Sequence, residues 1–319
     1  FLSAADRIRA AGLDPFGVPR TTDELARYAA AIDQIDPQTG KFVRAGHIPM
    51  EPNWYINTIP WWFGAKLYDP ETGQYHFDDP ATIRAYEWMA GFPRRLGKSA
   101  ISQFNMTSQD FGSPNSPFIA ARVAMVMQGP WMANYTYTLR PAMSQVIVPK
   151  SIEMLLPRVV REFNYEWAVA PFPPERTELG EIGYASADLL LIPKGARHKR
   201  EAFEFIAYVQ RRDVMERLNS LHCKNSPLAD VSDDFERNHP NPYIAVFNRL
   251  ASSPATAMIA HNRAAQEIGD DQTQTIQSIY LLKQNVPDAM RALQQRTNAK
   301  LEQMNRRAAL RAVANGAAQ

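Results

Sequence analysis

The chain has 319 residues, of which 45% are hydrophobic and 21% charged, and its formal net charge is +2 at pH 7. That composition is of a globular protein too long for one ordinary core, so two lobes or one large α/β domain are expected, and so small a charge argues against nucleic acid as a partner. No apolar run reaches the ~18 residues of a membrane-spanning helix, and the single cysteine, Cys223, excludes an intramolecular disulfide and a cysteine-based metal cluster.

In chain order, Thr21 and Glu24 form a capping-box pattern ahead of Leu25, Tyr28, Ala29 and Ile32 on one face, which predicts an amphipathic helix over 21–32. Asp36-Pro37-Gln38-Thr39-Gly40 reads as a turn, and Asp69-Pro70-Glu71-Thr72-Gly73 as a hairpin tip before Tyr75 and Phe77. Asp79 caps the next helix, with Pro80 at its first position and Ala85, Trp88, Met89 and Phe92 as its buried stripe. Residues 105–117 are polar and rich in Ser, Asn and Gly, as in a loop. Phe118 to Arg122 reads as a helix end and 123–127 as a buried strand. Gly129-Pro130-Trp131 is then a turn that projects one large aromatic.

Trp167-Ala168-Val169-Ala170-Pro171 reads as a short strand, and Leu189-Leu190-Leu191-Ile192 as a buried parallel strand. A helix over 199–218 is interrupted near Arg211-Arg212-Asp213. A final helix runs from Pro287 past Arg307, with Met290, Leu293, Thr297, Leu301 and Met304 at helical spacing, and it is basic beyond Ala289. Strands alternating with helices imply the α/β class.

The residues with chemistry to offer cluster in Glu51-Pro52-Asn53-Trp54-Tyr55-Ile56-Asn57 and Trp61-Trp62. Sugars present polar edges and apolar C–H faces. A site for them needs flat aromatics together with carboxylates or amides, set in a part-apolar cleft. Glu51, Trp54, Tyr55, Asn57 and Trp131 supply those types. On a strand, Trp61 and Trp62 point to opposite faces, so at most one faces a cleft, and Trp62 is taken as that one. Each Trp is equally the kind of residue that fills a core. His47, His76, His198, His222, His239 and His261 show no metal-ligand spacing and read as surface or capping residues. Cys223 reads as a buried helix-end thiol. No catalytic residue, cofactor or metal is expected.

Ordered blocks of sequence carry a resemblance. Ala11-Gly12-Leu13-Asp14-Pro15 and Pro19-Arg20-Thr21-Thr22-Asp23-Glu24-Leu25 come first. Phe118-Ile119-Ala120-Ala121-Arg122-Val123-Ala124-Met125 leads to Gly129-Pro130-Trp131. Gly183-Tyr184-Ala185-Ser186 opens the run to Pro193-Lys194-Gly195, followed by Glu201-Ala202-Phe203-Glu204-Phe205-Ile206 and Ser226-Pro227. In that order they resemble family 1 extracellular solute-binding proteins, the sugar-type receptors of ABC importers. Ala121 stands where the family usually has Gly, and the segment 141–166 has no counterpart there.

The resemblance implies an α/β, two-lobed, periplasmic-binding-protein-like fold. Residues 1–11 would be a remnant at the hinge, 12–182 the second lobe, 183–250 a portion of the first lobe, and 251–319 a return to the second. It also implies that most of the first lobe lies upstream of Phe1, which would leave the apolar edge at 189–192 exposed. The implied function is capture of a sugar or oligosaccharide between lobes by hinge closure. Trp131, Gly129, Glu51, Trp54, Tyr55, Asn57, Trp62, Tyr184 and Ser186 would line the site. The implied partners are the solute and the transmembrane permease subunits of the importer, with a monomeric receptor that is periplasmic or anchored outside the membrane. The competing reading is a carbohydrate-active enzyme that uses Glu51 and a second carboxylate, which the sequence does not nominate.

Overall fold

Helix α1 (Thr22–Ile32) begins where Thr21 accepts a hydrogen bond from the Glu24 N–H at 3.2 Å, and it buries Leu25, Tyr28, Ala29 and Ile32. Glu24 does not reach back to Thr21. Its carboxylate accepts instead from the Arg20 N–H at 2.7 Å, one residue earlier than the capping box predicts. The computed structural model describes residues 8–40, 42–97, 101, 112–144, 167–259 and 264–316. Residues 1–7, most of the expected 105–117 loop, residues 145–166 of the segment without counterpart, and His261 lie outside them.

After α1, the predicted Asp36 turn joins β1 (Gln34–Ile35) to β2 (Phe42–His47), and β5 (Val123–Met125) completes a three-stranded sheet of order β1-β2-β5. β1 and β2 are antiparallel; β2 and β5 are parallel, with Ala45 opposite Val123 and His47 opposite Met125. Gly46 is what brings β2 onto α1, since a Cβ there would lie 2.3 Å from the Ala29 carbonyl oxygen. The second predicted turn is the tip of the hairpin β3 (Tyr68–Asp69) to β4 (Gln74–Tyr75).

Helix α2 (Pro80–Leu96) has the predicted Asp79 cap, which accepts from the Ala81 N–H at 2.7 Å. The main core lies where this helix, β2 and the turns around 59–63 meet α8 (Ala265–Tyr280) and the long α9 (Val286–Gly316). Trp62, Phe77, Tyr86, Met89, Phe92, Ile276, Tyr280, Met290 and Leu293 fill it. The expected α9 stripe is present: Met290, Leu293 and Thr297 are buried, and Leu301 and Met304 pack against the core edge.

A smaller cluster, Ala133, Met143, Trp167 and Cys223, joins α3 (Met132–Leu139) to the segment 183–259. That segment carries α4 (Lys199–Val209), α5 (Arg212–Leu221), α6 (Asp233–Arg237) and α7 (Ile244–Ala251). The break between α4 and α5 falls at the predicted place.

Two expected strands do not form among the described residues. Residues 167–170 and 189–192 take no strand conformation, the Trp167 carbonyl instead accepting from the Tyr243 hydroxyl at 3.0 Å, and Leu189 and Leu191 are 74% and 79% exposed. A strand exists only through its ladder partners; the apolar run 189–192, outside any ladder of the described residues, is open to solvent, whereas Trp167 is buried. Phe203, Phe205, Tyr208 and Leu221 on α4 and α5 are exposed too. The expected helix end at 118–122 is a series of turns, in which Ala121 takes the left-handed φ of 57° that the family's Gly would adopt freely.

Candidate functional site

The Asn53–Tyr55 and Ile59–Phe63 segments are short 3-10 helices, and a buried polar lattice fixes them to the core. Tyr86 donates to the Ile56 carbonyl at 3.3 Å. The Gln272 amide of α8 donates to the Tyr86 hydroxyl and the Asn57 carbonyl, both at 3.0 Å. Burial raises the Tyr86 hydroxyl's pKa well above its ordinary value, so it stays protonated and able to donate.

This lattice decides the fate of two expected site residues. Asn57 donates its amide N–H groups to the Gly269 carbonyl at 3.2 Å and to Thr273 Oγ1 at 3.0 Å, which ties it to α8. Both its amide hydrogens are engaged within the fold, and its Oδ1 accepts from Thr273 Oγ1 at 3.3 Å. Trp62 is 2% exposed, and its indole N–H donates to the Ile182 carbonyl at 3.1 Å. The expectation that Trp62 faces the ligand is therefore corrected. It assumed a strand, with alternate residues on opposite faces. A 3-10 helix turns each residue by about 120°, so both neighbours need not oppose. Trp62 turns into the core, and half-buried Trp61 reaches Tyr184.

The remaining aromatics come together. Trp131 stands at the start of α3, its indole N–H donating to Gln128 Oε1 at 3.2 Å. Gly129 lies under its ring: a Cβ there would meet the benzo edge at 2.2 Å. From Trp131 the rings run on to Trp54 (6.5 Å between centroids), Tyr55 (6.2 Å), Tyr184 (5.7 Å) and Trp61 (5.9 Å). Successive interplanar angles of 43°, 60°, 78° and 35° make a tilted series and not a parallel stack. Trp54 is 46% exposed, Trp131, Tyr184 and Trp61 are half-buried, and Tyr55 is buried. Burial, with a smaller contribution from Tyr184, raises the Tyr55 pKa, so its hydroxyl is neutral at any physiological pH. Tyr184 is held by a parallel bridge to Ala257.

Glu51 is half-exposed and immediately precedes Pro52 and the Asn53–Tyr55 turn, and Ser186 is exposed two residues past Tyr184. The sequence reading missed Lys224 and Asp188. The Lys224 ammonium lies over the Trp131 ring, 5.5 Å from its centroid, and 2.7 Å from Asp188 Oδ2. The only sequence signal was their position near blocks already singled out.

Two histidines are not the surface or capping residues expected. His47 and His239 are 3% and 0% exposed, and each is hydrogen-bonded to backbone. Cys223 is buried as expected, and burial pushes its thiol up to about 11, which leaves it unreactive at neutral pH. Among the described residues no group of three or more His, Cys, Asp or Glu could hold a metal, and no helix is long and apolar enough to cross a membrane.

A family model for bacterial extracellular solute-binding proteins matches residues 5–216. The chain belongs to this family. It is 22% identical over 230 residues to the maltotriose-binding protein of Pyrococcus abyssi, a match covering 70% of this chain and 43% of that protein. The chain thus spans less than half the length of this curated relative. In structure it is similar to a protein solved as CpMnBP1 with mannobiose bound, with a TM-score of 0.73 and 20% identity, covering 91% of this chain and 67% of that one. It is also similar to the sugar-binding protein MalE of Xanthomonas citri, with a TM-score of 0.62 and 16% identity, covering 94% and 67%. The family and these neighbours are binding proteins, and the two-lobed fold that the motifs implied is the fold of these neighbours. The family is extracellular by description.

Proposed function

We propose that this chain is the solute-capturing part of a sugar receptor that serves an ABC importer. The observation that carries the reading is the tilted run of rings from Trp131 through Trp54, Tyr55 and Tyr184 to Trp61, with centroid separations of 5.7–6.5 Å. The faces of Trp131, Trp54, Tyr184 and Trp61, which buried Tyr55 joins, suit the C–H faces of a short oligosaccharide. The names of the relatives, which bind mannobiose, mannotriose or maltotriose, support the same class of ligand. Glu51, beside the Asn53–Tyr55 turn, is positioned in sequence to accept hydrogen bonds from sugar hydroxyls, and Ser186 is a further polar group near Tyr184.

In this reading residues 12–182 and 251–319 belong to one lobe and 183–250 to the other. Closure about the crossings traps the sugar and creates the form that the permease subunits recognise. The receptor works as a monomer outside the cytoplasm, takes no nucleic acid, and makes and breaks no bond. An enzyme would need a second carboxylate about 5 to 9.5 Å from Glu51.

Titration calorimetry of the full-length protein with mannobiose and maltotriose tests the reading. Wild type is expected to bind at least one of them, and Trp131→Ala to weaken that binding by at least thirtyfold, about 2 kcal/mol for a central aromatic contact. No binding by wild type, or hydrolysis of the bound glycan that Glu51→Gln abolishes, would overturn it.

A further inference from the structure

The ring series ends at a charged corner. Cys223, with a φ of 56°, turns the chain out of α5, and Lys224 follows it. The Lys224 ammonium contacts both the Trp131 ring at 5.5 Å and Asp188 Oδ2 at 2.7 Å. Its side chain is 26% exposed, whereas that of Asp188 is 91% exposed.

Lys224 is not held there by its flexible stem alone. Its backbone carbonyl is 3.1 Å from His239 Nε2, and His239 Nδ1 accepts from the Asn241 N–H at 3.1 Å. With Nδ1 accepting, Nε2 carries the proton and donates to Lys224. Asn241 Nδ2 donates to the Pro130 carbonyl at 3.0 Å, and Asn241 Oδ1 accepts from the Tyr243 N–H at 2.9 Å. His239 and Asn241 are 0% and 1% exposed. Two buried side chains therefore fasten both the Lys224 loop and the Gly129-Pro130-Trp131 turn. A satisfied buried network of this kind fixes geometry.

We propose that Lys224 and Asp188 are the specificity-determining pair of this site, reading two adjacent hydroxyls of a neutral sugar ring stacked on Trp131. The proposal rests on the sugar-receptor reading above. An ammonium has three N–H donors; one serves Asp188, and two remain for hydroxyl oxygens. A sugar ring in contact with the indole at about 4 Å presents its hydroxyls at the ring edge. A sugar seated on the part of the indole face that Lys224 leaves open, beside the ammonium 5.5 Å from the ring centroid, brings those edge hydroxyls to it.

Asp188 supplies the acceptor for a hydroxyl hydrogen. Its hydrogen bond from Lys224, and then the Lys224 charge, hold its carboxyl below the ordinary value, so it is ionised at neutral pH. The two charges offset each other. With Lys224 already neutralised by Asp188, the pair leaves no net positive charge for a uronic acid's carboxylate, and so the site favours neutral sugars. Aromatic faces accept any sugar with a C–H surface. Discrimination comes from a polar pair left unmatched when a hydroxyl is absent.

The test is calorimetric titration of the full-length protein with mannobiose, with each of its monodeoxy analogues, and with a digalacturonate, in wild type, Trp131→Ala, Lys224→Met and Asp188→Asn. Lys224→Met is expected to weaken mannobiose binding roughly tenfold to a hundredfold, the range for a hydrogen bond to a charged group. It should also abolish the discrimination between mannobiose and the one analogue that wild type rejects most. Asp188→Asn, on an exposed side chain that the fold does not need, should act in the same direction.

If Trp131→Ala loses affinity while both charge variants bind and discriminate as wild type does, the sugar receptor stands and the pair is refuted. Tighter wild-type binding of digalacturonate than of mannobiose refutes it also. If wild type binds none of these sugars, the receptor reading fails and the pair falls with it.

Discussion

Neutralising the pH response of His47 isolates one buried group. Its Nδ1 lies 3.0 Å from the Met125 carbonyl, which can only accept, so Nδ1 carries the hydrogen. Nε2 is buried and has no hydrogen-bond partner among the described residues. The rings of Trp88, Phe92 and Phe172 surround it at 5.7–6.3 Å. Protonating Nε2 would place a charge in this apolar pocket. Burial accordingly lowers the His47 pKa from 6.5 to about 4, a shift that the Met125 hydrogen bond partly opposes.

Between those two values the unfolded chain binds a proton that the folded chain excludes, so stability rises with pH there. The stability is fully present above about pH 6.5, and it is lost progressively as the pH falls towards about 4. Between pH 7 and pH 5 the loss amounts to about 2 kcal/mol. Urea unfolding at both pH values measures it, with His47→Asn as the reference. The asparagine amide can still donate to Met125 but does not titrate. Other histidines are common to both proteins and cancel. So does Asp33, whose pKa burial raises and whose effect has the opposite sign. Wild type should lose about 2 kcal/mol more than His47→Asn. Equal losses would refute the claim that the imidazole is folded in its neutral form.

Gly129→Ala should displace the Trp131 indole, because the new Cβ would lie 2.2 Å from the ring. Sugar affinity should fall about tenfold or more with stability changed by ~1 kcal/mol or less, since the clash is with a movable side chain; unchanged affinity would remove Trp131 from the site. Asn57→Ala breaks two hydrogen bonds to α8 and should cost about 1–3 kcal/mol in denaturant titration while leaving sugar affinity intact. A selective loss of affinity would return Asn57 to the site. Leu191→Lys, at a side chain 79% exposed, should change the stability of the 319-residue chain by no more than about 0.5 kcal/mol and reduce its binding of an apolar dye. A loss of several kcal/mol would mean that the run is covered.

Local physics made much of this molecule readable from its sequence. The 3.6-residue stripes of α1, α2 and α9, the Thr21 and Asp79 caps, the Asp69 hairpin tip and the α4–α5 break all depend on neighbours a few residues apart, and all are present. The ordered blocks around Gly129-Pro130-Trp131 and Gly183-Tyr184 were sufficient to name the family. What the sequence left open depends on distant partners. Residues 167–170 and 189–192 have strand composition, but pairing is a property of two segments, and neither forms a strand among the described residues. Trp61 and Trp62 have nearly the same chemistry, and only the 3-10 turn of Ile59–Phe63 and the Ile182 carbonyl decide which one enters the core. Asn57 reads as a sugar ligand in the sequence, and only the fold shows its amide bound to Gly269 and Thr273 of α8. Lys224, Asp188 and Trp131 lie in three separate stretches of sequence. The buried His239–Asn241 link fastens two of them, and an ion pair adds Asp188. Periodicity and capping are short-range and therefore legible, whereas a site is made by long-range contacts, which the tertiary structure alone brings together.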